Sequence, residues 1–298
     1  SLAKTSASDV FSVNTDTSSL LLGGNNGGSN GVWEGKLDDI RLYDYARSAT
    51  EIAQDFNAGS GRYFGYRSEI AEPDPATVQP PVAWWKFNEG GDTTVLDSSG
   101  NGHTGTITGA AWADGKYGGA LDFEGADYVT VPGAVFSGIT NYVTVSLWQY
   151  GDAAIQPQQD NLFEGRDASN NRVINVHHAW SDENVYWDCG NTGATYDRIN
   201  KLATAAEYEG QWNHWVFTKD AVAGSMKIFL NGVLWSSGTA KTLDMSSAIT
   251  NFKIGSSYAG AGNYDGMVDD FRVFDYVLEP GEINAIMDGG PPVAHWKL

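Results

Sequence analysis

Apolar and polar residues alternate with period two over much of the chain, the mark of strands buried on one face. The alternation predicts strands at Ala83–Asn88, Ala120–Phe123, Tyr128–Val131, Val143–Tyr150 and Arg172–His177. It continues at Asn184–Trp187, Trp212–Lys219, Ser225–Leu230, Asn251–Ile254 and Gly266–Phe274. Turn residues fall between the runs: Gly90-Gly91, Ser99-Gly100-Asn101-Gly102, Gly118-Gly119, Asn170-Asn171 and Asn231-Gly232. The last is a strong hairpin marker, because a two-residue type I′ turn needs positive φ at both positions. Trp148, Trp212 and Trp215 occupy regular strand positions and are predicted to be core.

Helix is scarce. Ser48 and Glu51 have the capping-box spacing ahead of Ile52 and Phe56, and Gly59 closes that segment. Pro280, suited to a first helical position, with Glu282 near the positive end of the dipole, predicts a second short helix. Many short strands with one small helix per repeat point to an all-β fold, a two-sheet antiparallel sandwich.

The chain repeats itself. Gly35-Lys-Leu-Asp-Asp-Ile-Arg-Leu-Tyr-Asp-Tyr45 returns as Gly266-Met-Val-Asp-Asp-Phe-Arg-Val-Phe-Asp-Tyr276, and Pro80-Pro-Val-Ala-Trp-Trp-Lys86 returns as Pro291-Pro-Val-Ala-His-Trp-Lys297. These echoes set the domain boundaries. Residues 80–290 form one complete repeat, and residues 1–59 are the C-terminal part of a preceding one. Residues 60–79, with Glu72-Pro73-Asp74-Pro75, form a linker, and residues 291–298 are the first strand of a following repeat.

Composition narrows the function. A repeat of this length can bury a full core. The net charge of −19, with no basic run, disfavours nucleic acid and anionic membrane surfaces as partners. No apolar run approaches the roughly 18–20 residues needed to span a bilayer. Cys189, the single cysteine, rules out an intramolecular disulfide and is predicted to be a small buried side chain.

Several motifs together resemble a laminin-G-like jelly roll of the concanavalin A-like lectin/glucanase superfamily. They are Trp85-Lys86-Phe87-Asn88-Glu89-Gly90, Asp97-Ser98-Ser99-Gly100-Asn101-Gly102-His103-Thr104-Gly105 and Ala120-Leu121-Asp122-Phe123, then Gly210-Gln211-Trp212-Asn213-His214-Trp215, Leu230-Asn231-Gly232 and the stretch Gly266–Tyr276. The resemblance covers nearly all of residues 81–290. It implies a mostly non-catalytic, extracellular module, often calcium-bound, used in glycan or protein recognition.

The acidic, glycine-rich loop from Asp97 suits calcium, which takes six to eight oxygens including backbone carbonyls. Asp269-Asp270 offers further charge. In a regular strand Asp269 shares a face with Phe271 and Val273, where a carboxylate is costly unless paired or metal-bound, so Asp269 is the expected ligand. Asp270 is then solvated or paired with Arg272. The resemblance likewise places Ca²⁺ between the two motifs, with Asp97 and Asp269 as carboxylate ligands and Asn101 and His103 contributing oxygens. The alternative is that Asp97 and Asn101 make turn hydrogen bonds and Asp269 pairs with another cation. His177-His178 reads as packing rather than a zinc site, because adjacent strand residues face opposite ways.

The segment 177–198 is dense in aromatic and polar residues. Trp180, Tyr186, Trp187, Asp188, Tyr196 and Arg198 are the candidate ligand-binding residues, since rings cover sugar C–H faces while polar groups bond hydroxyls. Aromatics on sandwich strands also serve as core, and that reading stands beside the first. The Glu-x-Asp-x-Glu strand of related glucanases, which sets carboxylates on one face for a retaining mechanism, is absent. Two expectations follow. One is a non-catalytic, calcium-stabilised carbohydrate-binding module of a secreted or cell-surface protein, its partner a glycan or a cell-surface protein. The other is a structural repeat of an adhesin or surface filament, in which neighbouring repeats or copies are the partners.

Overall fold

The computed structural model describes residues 40–42, 78–258, 262–287 and 294–296. Asp38-Asp39, the helix expected after Ser48 and most of the linker at 60–79 lie outside these residues. The chain divides into two compact units, one of residues 1–42 with 293–298, the other of residues 43–292.

In the first unit, strand β1 (Ile40–Leu42) pairs antiparallel with the last strand of the chain, Ala294–Trp296. The second unit opens with β2 (Ala83–Trp85), β3 (Thr94–Val95), β4 (Gly105–Thr108), β5 (Ala111–Asp114), β6 (Gly119–Phe123) and β7 (Tyr128–Pro132). It goes on through β8 (Tyr142–Gly151), β9 (Phe163–Asp167), β10 (Arg172–His177), β11 (Asn184–Thr192) and β12 (Thr195–Leu202). A four-residue helix α1 (Ala205–Tyr208) precedes β13 (Asn213–Asp220), β14 (Ser225–Leu230), β15 (Val233–Gly238), β16 (Ile249–Ile254) and β17 (Gly266–Phe274). Helix α2 (Pro280–Met287) follows, starting on the proline that the sequence marked. The final strand is β18.

The strands of the second unit form two antiparallel sheets. Sheet I runs in the order β12-β11-β10-β9-β16-β7-β4-β3, and sheet II runs β15-β14-β13-β8-β17-β6-β5 with β2 added beside β17. The sandwich expected from the alternation is therefore the observed fold. Asn231 and Gly232 both have positive φ, 49° and 79°, in the turn between β14 and β15. Gly255, at φ +85°, passes so close to Phe123 that an added Cβ would lie 2.3 Å from its ring.

The two inner faces enclose one apolar core. Phe163 lies at its centre, with ring contacts to Trp187, Phe217, Phe252 and Phe271. Each such fully buried ring stabilises the fold by about 1.5–3 kcal/mol relative to exposure. The outer face of sheet II is covered: Ile283 and Ile286 of α2 pack with Val216, Phe229, Phe274 and Leu278. Cys189 is buried as expected, and burial pushes its thiol up to about 12. Among the described residues no helix is long and apolar enough to cross a membrane.

Two of the three tryptophans expected in the core take other places. Trp212 precedes β13, is half-buried and packs edge-on to Tyr150. Trp148 is buried, but against Tyr117 and His214 rather than in the central cluster. Trp215 is core, stacked on Phe217.

Candidate functional site

The outer face of sheet I carries charge where the inner face carries carbon. Along β11, Val185, Trp187 and Cys189 point into the core, so Tyr186 and Asp188 point out. On β10 a bulge between Arg172 and Ile174 leaves Arg172, Asn175 and His177 outside while Val173, Ile174 and Val176 stay inside. Register then lines up a row of facing residues across five strands: Arg198 on β12, Asp188 on β11, Asn175 on β10, Glu164 on β9 and Lys253 on β16.

The carboxylates form the floor of this row and the guanidiniums lie over them. The side chains of Glu164 and Asp188 are fully buried, while Arg172 and Arg198 are 15% and 34% exposed. Arg198 donates to Asp188 through Nε at 2.5 Å and Nη2 at 2.7 Å, a bidentate pair. Arg172 donates from Nη1 to the same carboxylate at 2.7 Å and from Nε to Glu164 at 3.2 Å. Arg166 sits directly opposite Arg172, and Glu164 offsets that like-charge contact by accepting from Arg166 Nη2 at 2.8 Å. Burial alone would raise Glu164, but the bonds from Arg166, the Tyr258 N–H and Arg172 overcome it and hold the carboxyl below its usual range.

Aromatic rings frame the charges. The Arg198 guanidinium lies over Tyr186 at 4.7 Å and Tyr196 at 5.3 Å, both half-buried. Trp180 packs edge-on to His177 at 4.4 Å. Burial lowers His177 to about 4, so the ring is neutral at pH 7. Its Nδ1 meets the Asp160 carbonyl at 2.6 Å, which leaves Nε2 to accept from Arg172 at 3.3 Å.

Of the six residues expected to bind ligand, Trp180, Tyr186, Asp188, Tyr196 and Arg198 belong to this face or its margin. Trp187 does not. It is fully buried between the sheets, its Nε1 donating to the Thr218 carbonyl, because alternation sends it opposite to its neighbours. Glu164, Arg166, Arg172 and Asn175 complete the cluster and were not singled out in the sequence, and His177, read there as a packing residue, joins them.

The five residues expected around calcium are committed elsewhere. Asp97 accepts from the backbone N–H groups of Trp84, Ser99 and His103, at 3.0, 2.9 and 2.9 Å. These bonds outweigh burial and lower its pKa. Asn101 Nδ2 donates to the Val82 carbonyl, and the His103 carbonyl accepts from Trp85 Nε1. Asp270 pairs with Arg272 at 2.7 Å and accepts from Trp84 Nε1. Asp269 does not share a face with Phe271 and Val273. A bulge at Asp270, with φ +54°, adds one residue to β17 and turns Asp269 onto the opposite face, beside Trp148. There its Oδ2 accepts from the Tyr117 N–H at 2.8 Å, and its buried Oδ1 has no partner. One orphan oxygen falls far short of the six to eight that calcium takes. Among the described residues no group of three or more His, Cys, Asp or Glu side chains is placed to hold a metal ion.

Asp97 is instead the staple of its loop. Asp97→Ala is expected to cost about 1–3 kcal/mol, the scale of stranding hydrogen-bond donors, while chelator leaves the wild-type melting temperature unchanged. Differential scanning calorimetry with EDTA and with calcium checks both. A melting temperature that drops on chelation would return calcium to this loop.

A family model of the concanavalin A-like lectin/glucanases superfamily, of laminin G type, matches residues 123–284. Curated proteins gave no sequence match. Among solved structures, the chain is similar to domain 4 of AbnA, a GH43 extracellular arabinanase from Geobacillus stearothermophilus, in complex with arabinotriose. That match has 25% identity and a TM-score of 0.56 over 70% of this chain and 98% of the other. It is also similar in fold to the receptor-binding domain of botulinum neurotoxin C/D mosaic serotype, at 16% identity and TM-score 0.57 over 70% of this chain and 51% of that one. The serotype D ligand-binding domain in complex with N-acetylneuraminic acid gives the same identity, TM-score and coverage. The family model spans more than half of the residues, and the chain belongs to the concanavalin A-like lectin/glucanases superfamily.

Proposed function

We propose that the outer face of sheet I is a non-catalytic, glycan-binding surface of a secreted or cell-surface protein, and that its ligand is a neutral sugar. The observation that carries this reading is the row Arg198–Asp188–Asn175–Glu164–Lys253 with Tyr186 and Tyr196 beside it. Fixed donors and flat rings side by side are what a saccharide's hydroxyls and C–H faces require. The similarity to an extracellular arabinanase domain seen with arabinotriose supports both the ligand class and the location.

Two further arguments sharpen it. A retaining glycosidase needs one carboxyl held protonated as an acid, and both carboxylates here are matched to arginine. The charges also balance. Arg166, Arg172, Arg198 and Lys253 are offset by Glu164 and Asp188 within the face and by Asp167 and Asp182 at its margins. With −19 on the whole chain, no long-range field draws a polyanion in.

Isothermal titration with neutral oligosaccharides, arabinan-derived ones included, and with oligouronates tests the reading. Arg198→Ala and Tyr196→Ala are each expected to weaken binding at least about tenfold, roughly 1.4 kcal/mol, without changing the unfolding midpoint by more than a few degrees. Stronger binding of oligouronates would refute the neutral ligand. No binding by any glycan would remove the function.

A further inference from the structure

The short pair β1–β18 repeats the pairing of β17 with β2. In the first pair Ile40, Arg41 and Leu42 face Trp296, His295 and Ala294. In the second, Phe271, Arg272 and Val273 face Trp85, Trp84 and Ala83. These are the same positions of the two sequence echoes: Ile40-Arg41-Leu42 corresponds to Phe271-Arg272-Val273, and Ala294-His295-Trp296 to Ala83-Trp84-Trp85. A slip of one residue would exchange inward and outward side chains along the strand. Two separate copies of an opening strand have thus taken one register on two separate copies of a closing strand.

What the copies retain is informative. Ala83 and Trp85 are fully buried, and alanine and tryptophan recur at 294 and 296. Trp84 points the other way, towards Asp270 and Arg272, and histidine replaces it at 295. The inward positions of the strand are kept and the outward one varies. Residues 293–298 also group with residues 1–42 in one compact unit, although the whole of the second unit separates them in sequence.

We propose that the Pro-Pro-Val-Ala-x-Trp-Lys strand is an exchangeable plug, and that the strand at Ile40–Leu42 accepts it from a second copy of this chain as well as from its own. Strand addition holds its partner by main-chain hydrogen bonds and by pockets for alternate side chains, and neither depends on which molecule supplies the strand. The paired prolines ahead of it cannot donate to a ladder, which keeps the added strand short. The chain's own plug has the advantage of high effective concentration, so the copy from another molecule gains ground as chain concentration rises. Copies then link through β1 and β18.

The test uses the full chain carrying Ala294→Pro, which interrupts its own plug, and a fluorescein-labelled peptide of residues 291–298. The peptide is expected to bind saturably and to slow hydrogen exchange at residues 40–42. The Trp296→Ser peptide should bind at least tenfold more weakly, and the His295→Trp peptide about as well as the original. With the wild-type chain, light scattering should show dimers that grow with concentration and disperse under excess peptide. Absence of binding, equal binding of the Trp296→Ser peptide, or protection at 271–273 instead of 40–42 overturns the acceptor site. A wild-type chain that stays monomeric up to about 1 mM overturns donation by a second copy.

Discussion

Asp188→Ala is expected to destabilise the second unit by about 3–5 kcal/mol and to abolish glycan binding together with it. Asp188 is fully buried and accepts from two arginines, so its removal leaves Arg198 with no carboxylate partner and Arg172 with Glu164 alone. Glu164 cannot compensate, because one of its oxygens already serves Arg166 and Arg172 and the other accepts from the Tyr258 N–H. For a domain of this size the loss corresponds to a melting temperature lower by on the order of 10 °C. Arg198→Ala supplies the contrast. It removes a side chain that is 34% exposed and leaves Asp188 bonded to Arg172, so binding should fall while most of the stability remains. Urea unfolding of both variants, with the double variant to close the cycle, reads the coupling between them. A loss below about 1 kcal/mol for Asp188→Ala would mean that water enters freely beneath the arginines, and the preformed charge row would no longer explain recognition.

The sandwich was legible because period-two alternation and turn residues agree along most of the second unit. Polar strands escaped that signal. β12, Thr-Tyr-Asp-Arg-Ile-Asn-Lys-Leu, and β9, Phe-Glu-Gly-Arg-Asp, are short of apolar residues because their outer faces carry the site. Glu164 and Arg166 lie on such a strand, and Arg172, though on a strand the alternation marks, meets Asp188 only through cross-strand register. Trp187 was within reach of the sequence: strict alternation sets it opposite Tyr186 and Asp188. Asp269 was not, because the added residue in β17 reverses the parity that the sequence implies and leaves no mark except the Asp-Asp pair itself. The Asp97 loop shows the same limit. Its acidic, glycine-rich composition suits a cation, yet folded it turns three N–H groups onto the carboxylate.

Each of three buried histidines is expected to withdraw stability as pH falls below about 6.5, by up to about 1.4 kcal/mol per pH unit. His177, His178 and His214 have folded pKa values lowered by burial to about 4, 3 and 3. His178 is fully enclosed, packed edge-on to Trp215, and neither ring nitrogen has a partner. The unfolded histidines take up protons near pH 6.5, where the folded ones do not, so each removes stability as pH falls from about 6.5 towards its folded value. Asp160 and Asp269 act in the opposite sense. Burial raises both well above the usual carboxyl value, so their contribution declines as pH rises above about 3.8, where the unfolded groups ionise. Below about pH 6.5 the histidines and the raised carboxyls therefore oppose each other, and each histidine's share is at most about 1.4 kcal/mol per pH unit. His178→Phe should flatten the acid limb and Asp269→Asn should steepen it, each by up to about 1.4 kcal/mol per pH unit. Urea unfolding at half-unit steps from pH 4 to 8 measures all of these slopes. Parallel profiles for the wild type and the two variants would show that neither side chain keeps its protonation state on folding, and that the interior around them is open to water.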